Sequence, residues 1–235
     1  IILGKYDPDH VEEPLEITIP TTHKKEENSI YDILDSGKVE DKYYISDYEE
    51  MVLSAWDEFY QGIDLKVIGF PIWADYFKYP EVPENYPTWK QNFVRKNIEL
   101  YQRNRVFIDN WLEKYNHLQD FIPTHHKMEW QAGTTISSVW EGIIQMRPSG
   151  IRIKAPTCFP ALVAMVQIPI IGRFRRRLTV EEAGRLQSFP DPIRTEDAGE
   201  GFLCDSSDQQ AYKQFGNSVN VEVIRRCAEE LFKNY

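Results

Sequence analysis

Hydrophobic and polar positions divide the chain into a few well-marked segments. Val219, Val223, Ile224, Cys227, Ala228, Leu231 and Phe232 form one apolar stripe at helical spacing, with Glu222, Arg225, Glu229 and Glu230 facing away. A first helix is expected over about 47–60, where Met51/Val52, Ala55/Trp56 and Phe59/Tyr60 recur and Ser46 with Glu49 makes a capping box. A long helix should follow Thr88, through Trp89, Phe93, Tyr101, Trp111, Leu112 and Tyr115, with room for a break. Pro71, Pro80, Pro83 and Pro87 among aromatics mark 71–87 as an irregular packed loop. Ile151-Arg152-Ile153-Lys154 alternates as a half-buried strand does, and Ala161 to Ile171 is an apolar run broken by Pro169. Thr179-Val-Glu-Glu182 opens a short helix that closes before Pro190. Helices and short strands mix without regular alternation, so the fold class is α+β.

Composition narrows the class. A chain of 235 residues, 42% hydrophobic and 13% aromatic, can bury a substantial core, which excludes wholesale disorder. No apolar run is long enough to predict a membrane helix. Three scattered cysteines make no disulfide framework and suit a reducing, cytoplasmic setting, and no zinc-type spacing appears, so no metal site is expected. The net charge of −10 disfavours a phosphate-binding partner, but its distribution does not. Residues 147–185 hold eight basic side chains against Glu181 and Glu182. That stretch can face a phosphate backbone while the acidic remainder keeps the chain soluble; a solvated arginine-rich loop is the alternative.

Three stretches carry chemistry. The first is Arg147-Pro-Ser-Gly-Ile-Arg-Ile-Lys154, followed by Phe159-Pro-Ala-Leu-Val-Ala164. The second is Arg176-Arg-Leu-Thr-Val-Glu-Glu-Ala-Gly-Arg-Leu-Gln-Ser-Phe-Pro-Asp191, and the third Gln210-Ala-Tyr-Lys-Gln-Phe-Gly-Asn-Ser-Val219. Together they resemble the C-terminal part of DNA (cytosine-5) methyltransferases, the second being similar to the family's motif IX and the third to motif X.

The resemblance implies a division of the chain. Residues 1–28 would be the end of a catalytic-domain strand and its connector, with Ile1-Ile-Leu-Gly4 similar to the strand end of motif VIII. Residues 29–172 would be a small mixed helix/short-strand target recognition domain. Residues 173–235 would be the motif IX/X segment, whose C-terminal helix in the family packs back on a Rossmann-like catalytic domain. Asn217 and Ser218, placed at the start of the last helix where free N–H groups favour a polar ligand, would help hold S-adenosylmethionine. N-capping by the same residues is compatible with that role. Arg176 and Arg185 would be structural pins for the 147–172 region, paired with carboxylates or backbone carbonyls. Arg173, Arg175 and Arg177 remain for phosphates.

Ser149-Gly150 permits close backbone approach to a groove, flanked by Arg147, Arg152 and Lys154, which suit phosphate or a guanine edge. Gln131, Thr134 and Thr135 lie in a polar loop able to reach bases.

The family's Pro-Cys nucleophile, Glu-Asn-Val acid and glycine-rich cofactor turn are absent from this sequence. Cys158, Cys204 and Cys227 are therefore not assigned catalysis, and Cys227 reads as core. Gln102-Arg-Asn-Arg-Val-Phe-Ile108 looks superficially like motif VIII but continues a helical pattern, and His125-His126 reads as polar loop. The expected function is the target-recognition and cofactor-pocket-completing portion, a fragment or a split subunit, of a DNA cytosine-5 methyltransferase, inactive alone. It would work on duplex DNA with a separate N-terminal catalytic portion that binds most of the S-adenosylmethionine. The family's prokaryotic members imply a restriction–modification setting. The alternative is a non-catalytic sequence-specific DNA-binding module derived from such an enzyme.

Overall fold

A computed structural model describes residues 30–64, 68–162, 167–190 and 207–232. The expectations for residues 1–28, for Cys204 and for the middle of the 161–171 run fall outside them. The mixed helix-and-strand class is α+β, with a helix at the C-terminal end.

Helix α1 spans Asp47–Gly62, and both halves of the Ser46/Glu49 capping box form. The long helical pattern resolves into α2, Thr88–Arg103, and α3, Arg105–Lys114. The break falls at Asn104, because its side chain takes two non-helical tasks. Its Oδ1 accepts from the Asp64 N–H at 3.0 Å, and its Nδ2 donates to the Leu100 carbonyl at 3.1 Å. Strand β1 is Ile72–Trp73, a short element within the expected proline-rich loop. Strands β2 (Lys127–Gln131), β3 (Ile143–Arg147) and β4 (Gly150–Lys154) form the centre of a six-stranded sheet. Strands β5 (Ile170–Ile171) and β6 (Arg176–Arg177) complete it in the order β1-β2-β4-β3-β5-β6. Only β2 and β4 pair in parallel.

Alternation gives the sheet two unlike faces. Met128, Trp130, Ile144, Ile151 and Ile153 are buried on one face with Trp56 and Phe59 of α1 and Ile108 and Trp111 of α3. All three buried indoles are satisfied: Trp56 donates to the His125 carbonyl at 2.9 Å, Trp111 to that of Ala55 at 2.8 Å and Trp130 to that of Gly133 at 2.8 Å. The opposite face carries Glu129, Gln131, Gln145, Arg147, Arg152 and Lys154.

Helix α2 runs against the outer strand of this sheet. Asn97, fully buried, accepts from the Trp73 N–H at 2.8 Å and donates to the carbonyls of Pro71 and Phe93 at 3.0 and 2.8 Å. One side chain thus satisfies backbone groups of an edge strand that would otherwise invite another chain. Asn97→Ala is expected to lower stability by about 2–3 kcal/mol, since buried backbone groups lose their partners. Urea unfolding at neutral pH measures it, and a loss below about 0.5 kcal/mol would mean that water replaces the amide.

The motif IX segment forms β6 and α4, Val180–Leu186, capped by Thr179 with Glu182 as expected. Helix α5, Asp208–Asn217, has no counterpart among the expected elements, although Ser207 caps it and Ala211, Tyr212 and Phe215 give it an apolar face. Helix α6 is Val221–Phe232. Tyr43 and Val39 pack with α4 and α5, so residues near the start of the described chain sit against the C-terminal segment.

Candidate nucleic-acid interface

The polar sheet face gathers the predicted Arg147, Arg152 and Lys154 around a residue that sequence reasoning missed. Glu129 Oε2 accepts from Arg147 Nη2 at 3.0 Å and from Arg152 Nε at 2.7 Å. The two arginines belong to adjacent strands, β3 and β4, and Glu129 reaches them from β2. Register explains the convergence: Glu129 lies opposite Arg152, and Arg152 opposite Gln145, two residues from Arg147. Only the alternation of Lys127–Gln131 hinted at it, since a strand order is needed before Glu129 can be placed beside Arg152.

The cluster is electrostatically strained. Burial pushes the Arg147 guanidinium below its ordinary pKa and the Arg152 charge adds to that, while Glu129 opposes both. Arg147 Nε and Gln145 Oε1 are buried without a hydrogen-bond partner. Buried polar atoms of this kind are normally satisfied. A donor and an acceptor therefore stay unpaired beneath the face that carries the recognition candidates. Lys154 is half-buried at the far end of β4, cross-strand from exposed Gln131. Thr134 and Thr135 are exposed beyond β2.

Ser149 is an exposed turn residue between β3 and β4, and Gly150 starts β4 with φ +123°. A Cβ on Gly150 would stand 2.8 Å from the Lys127 Cβ. Both its backbone angle and its neighbour therefore require glycine.

Motif IX behaves as a clamp. Arg176 and Glu182 make a buried bidentate pair, both bonds 2.7 Å. Glu182 accepts also from the Asp35 and Thr179 N–H groups, each at 2.8 Å. Arg185 binds Asp35 Oδ1 at 2.7 Å and the Ile33 carbonyl at 2.8 Å. Carboxylates and carbonyls are the partners anticipated for these arginines, and among the described residues the side-chain bonds reach 33–35 and α4. Arg176 itself stands in β6, which pairs with β5 at Ile171.

Arg175 adopts a left-handed conformation, pairs with Glu50 and lies over the Trp140 ring at 4.5 Å from its centroid. Arg177 pairs with Glu49. Both arginines therefore also anchor the segment to the first turn of α1, a contact between residues 125 and 128 positions apart that no local pattern reveals. Arg173 is exposed beside Tyr31 and Phe174.

The Asn217–Ser218 corner lies elsewhere than expected. Asn217 ends α5 and Ser218 caps its C-terminus, the Ser218 hydroxyl donating to the Phe215 carbonyl at 2.8 Å. Asn220 caps α6 instead, accepting from the Val223 N–H at 3.1 Å. The free N–H groups of the last helix therefore lie beyond this corner. Asn217 is exposed and Ser218 half-buried. The corner is stitched to motif IX by Asn220 donating to Leu186 at 3.2 Å and Val221 to Gln187 at 3.0 Å.

Helix α6 buries Cys227, as its position on the stripe predicts, but little else of that stripe. Val219 is 60% exposed and Phe232 68%, with Val223 and Ile224 also open. The opposite face is closed by Glu222 with Arg225 and Arg226, at 2.6 and 2.7 Å. Those arginines draw the Glu222 carboxyl down to about 2.

His125 is no open polar loop. It is buried in a 3-10 turn, its Nδ1 3.1 Å from the Tyr48 hydroxyl, and burial lowers its pKa. His126 meets Asp75 at 2.7 Å. Among the described residues no group of side chains is arranged to hold a metal, and no helix is long and apolar enough to cross a membrane.

Sequence comparison decides the family. A model of C-5 cytosine-specific DNA methylases matches residues 5–233. The chain belongs to that family. The Type II methyltransferase M.AluI of Cellulosimicrobium cellulans is 38% identical over 155 residues, 64% of this chain and 27% of the relative. The Type II methyltransferases M.BanI of Aneurinibacillus aneurinilyticus and M.NlaX of Neisseria lactamica are 46% and 48% identical over 59 and 60 residues. These stretches are 25% and 26% of this chain, and 12% and 16% of the two relatives. The methylase-family chain thus spans about a quarter of the M.AluI length at most in these alignments. No solved structure matches it significantly.

Proposed function

We propose that this chain is the target-recognition and cofactor-pocket-completing portion of a DNA cytosine-5 methyltransferase, in the cytoplasmic setting of a restriction–modification system. The observation that carries the reading is α6: a strongly amphipathic helix whose apolar stripe lies open beside the exposed Asn217 amide. An open stripe needs covering, and the catalytic portion that brings the Pro-Cys nucleophile and the Glu-Asn-Val acid is the occupant the family supplies.

In this reading the sheet face meets duplex DNA. Arg147 and Arg152 are tethered by Glu129, with Ser149, Gly150, Lys154 and Arg175 as further contacts, and the target cytosine is turned out of the stack toward the partner portion. Asn217 and Ser218 form one wall for S-adenosylmethionine, which supplies the methyl group when bound. The side chains here orient and enclose; bond-making at the base falls to the other portion.

The test is methyl transfer from labelled S-adenosylmethionine to duplex DNA by this chain, by the catalytic portion, and by both together. Activity is expected only from the pair. In the pair, Arg152→Ala should cut kcat/KM on the cognate duplex by about tenfold to a hundredfold and relax discrimination at one base pair. Activity of the chain alone would overturn the division of roles. DNA binding by the chain with an inactive pair would leave a recognition module without catalysis.

A further inference from the structure

Helix α2 carries Lys90, Arg95, Lys96 and Arg103 against the single acid Glu99, in a chain whose net charge is −10. Of these, Arg103 is committed to Asp64 at 2.9 Å. The other three have no carboxylate partner among the described residues. Arg95 reaches only the neighbouring Asn92 amide at 3.0 Å, Lys96 lies 5.6 Å from the Phe70 ring centroid, and Lys90 lies 3.5 Å from that of Tyr86. Ring faces attract these ammonium groups but leave their net charge unneutralised. Trp89, beside Lys90, is 59% exposed.

The surface around these cations is shaped. Two clefts of about 320 and 330 Å³ adjoin at Gly69 and Phe70. One is lined by Lys96, Glu99 and Arg103, the other by Glu129, Trp130 and Gln131. Phe70 therefore stands between the cleft beside α2 and the cleft beside Glu129 and Gln131. Buried Asn97 fixes the two walls relative to each other, because it bonds α2 to Pro71 and Trp73.

We infer that α2 and the Phe70 cleft form a second DNA contact, a sequence-independent site for backbone phosphates that extends the recognition face past the sheet edge. The inference rests on the DNA-binding reading of that face and adds a surface that neither the motifs nor the basic 147–185 stretch includes. Helical rise separates Lys90 from Arg95 by about 8 Å and from Lys96 by about 9 Å. Such spacing lets each cation meet a different phosphate. A neutral or cationic ligand would gain nothing from three uncompensated cations. A phosphate backbone gains from each by counterion release.

The experiment is fluorescence anisotropy of a labelled duplex with the full chain, titrated across salt. Lys90→Gln/Arg95→Gln/Lys96→Gln should make the slope of log K against log salt shallower by about 2–3, equally for unrelated sequences. Between 50 and 200 mM salt the unaltered chain should therefore lose about fortyfold more affinity than the variant. A triple variant at Lys38, Lys114 and Lys213 controls for bulk charge. If it matches the α2 variant, or if the α2 variant keeps the original slope while the unaltered chain binds, the α2 site is overturned and the sheet face stands. No salt-dependent binding by the unaltered chain overturns both. Should the triple variant melt early, Lys96→Gln alone serves, with an expected slope change of about 1.

Discussion

Arg176→Met should destabilise the chain by about 3–5 kcal/mol, because it strands a carboxylate that cannot reach water. Glu182 is fully buried and Arg176 is 4% exposed, so the removed charge has no solvent substitute. Two N–H donors would remain to Glu182, from Asp35 and Thr179, and they cannot neutralise it. The same carboxylate completes the capping box of α4, so its displacement would also loosen that helix. The companion variant Arg176→Met/Glu182→Leu removes both charges and is expected to recover most of the loss, since paired charges pay for burial with desolvation. Urea unfolding of the three proteins measures the difference. A single-variant loss below about 1 kcal/mol would show that Glu182 takes up a proton or moves to solvent instead.

The second large effect concerns function. Val223→Asp/Ile224→Asp should leave the chain's own melting temperature within a few degrees, because both side chains are already exposed. Methyl transfer by the reconstituted pair should fall at least about a hundredfold, since two apolar contacts of about 1.5–3 kcal/mol each are replaced by carboxylates that resist burial. Co-purification with the catalytic portion should be lost in parallel. Full activity with this variant would mean that α6 is not the docking helix, and the pocket-completing role would have to move elsewhere on the chain.

These expectations draw on different parts of what the chain encodes. Ser46 with Glu49 and Thr179 with Glu182 announced α1 and α4 in the sequence, because a capping box is closed by residues three apart. The break between α2 and α3 was legible as a possibility, yet its position at Asn104 depends on the Asp64 N–H, forty residues away. The motif IX and X residues carried the family, and Arg176 with Arg185 showed that guanidinium groups would be pinned. Which residues they pin was not written locally: Asp35 lies 150 positions from Arg185.

The sequence by itself determined where α1 and α4 begin, which faces are apolar, and that roughly the last ninety residues resemble a methylase, since each of these is stored in neighbours a few positions apart. Tertiary structure alone decided that Glu129 bridges Arg147 and Arg152, that Asn217 closes α5 instead of opening α6, and that the stripe of α6 stays open. An alternating strand states which side chains share a face but not which strand will lie beside it. An amphipathic helix, likewise, states that one side avoids water and leaves its cover to the rest of the fold.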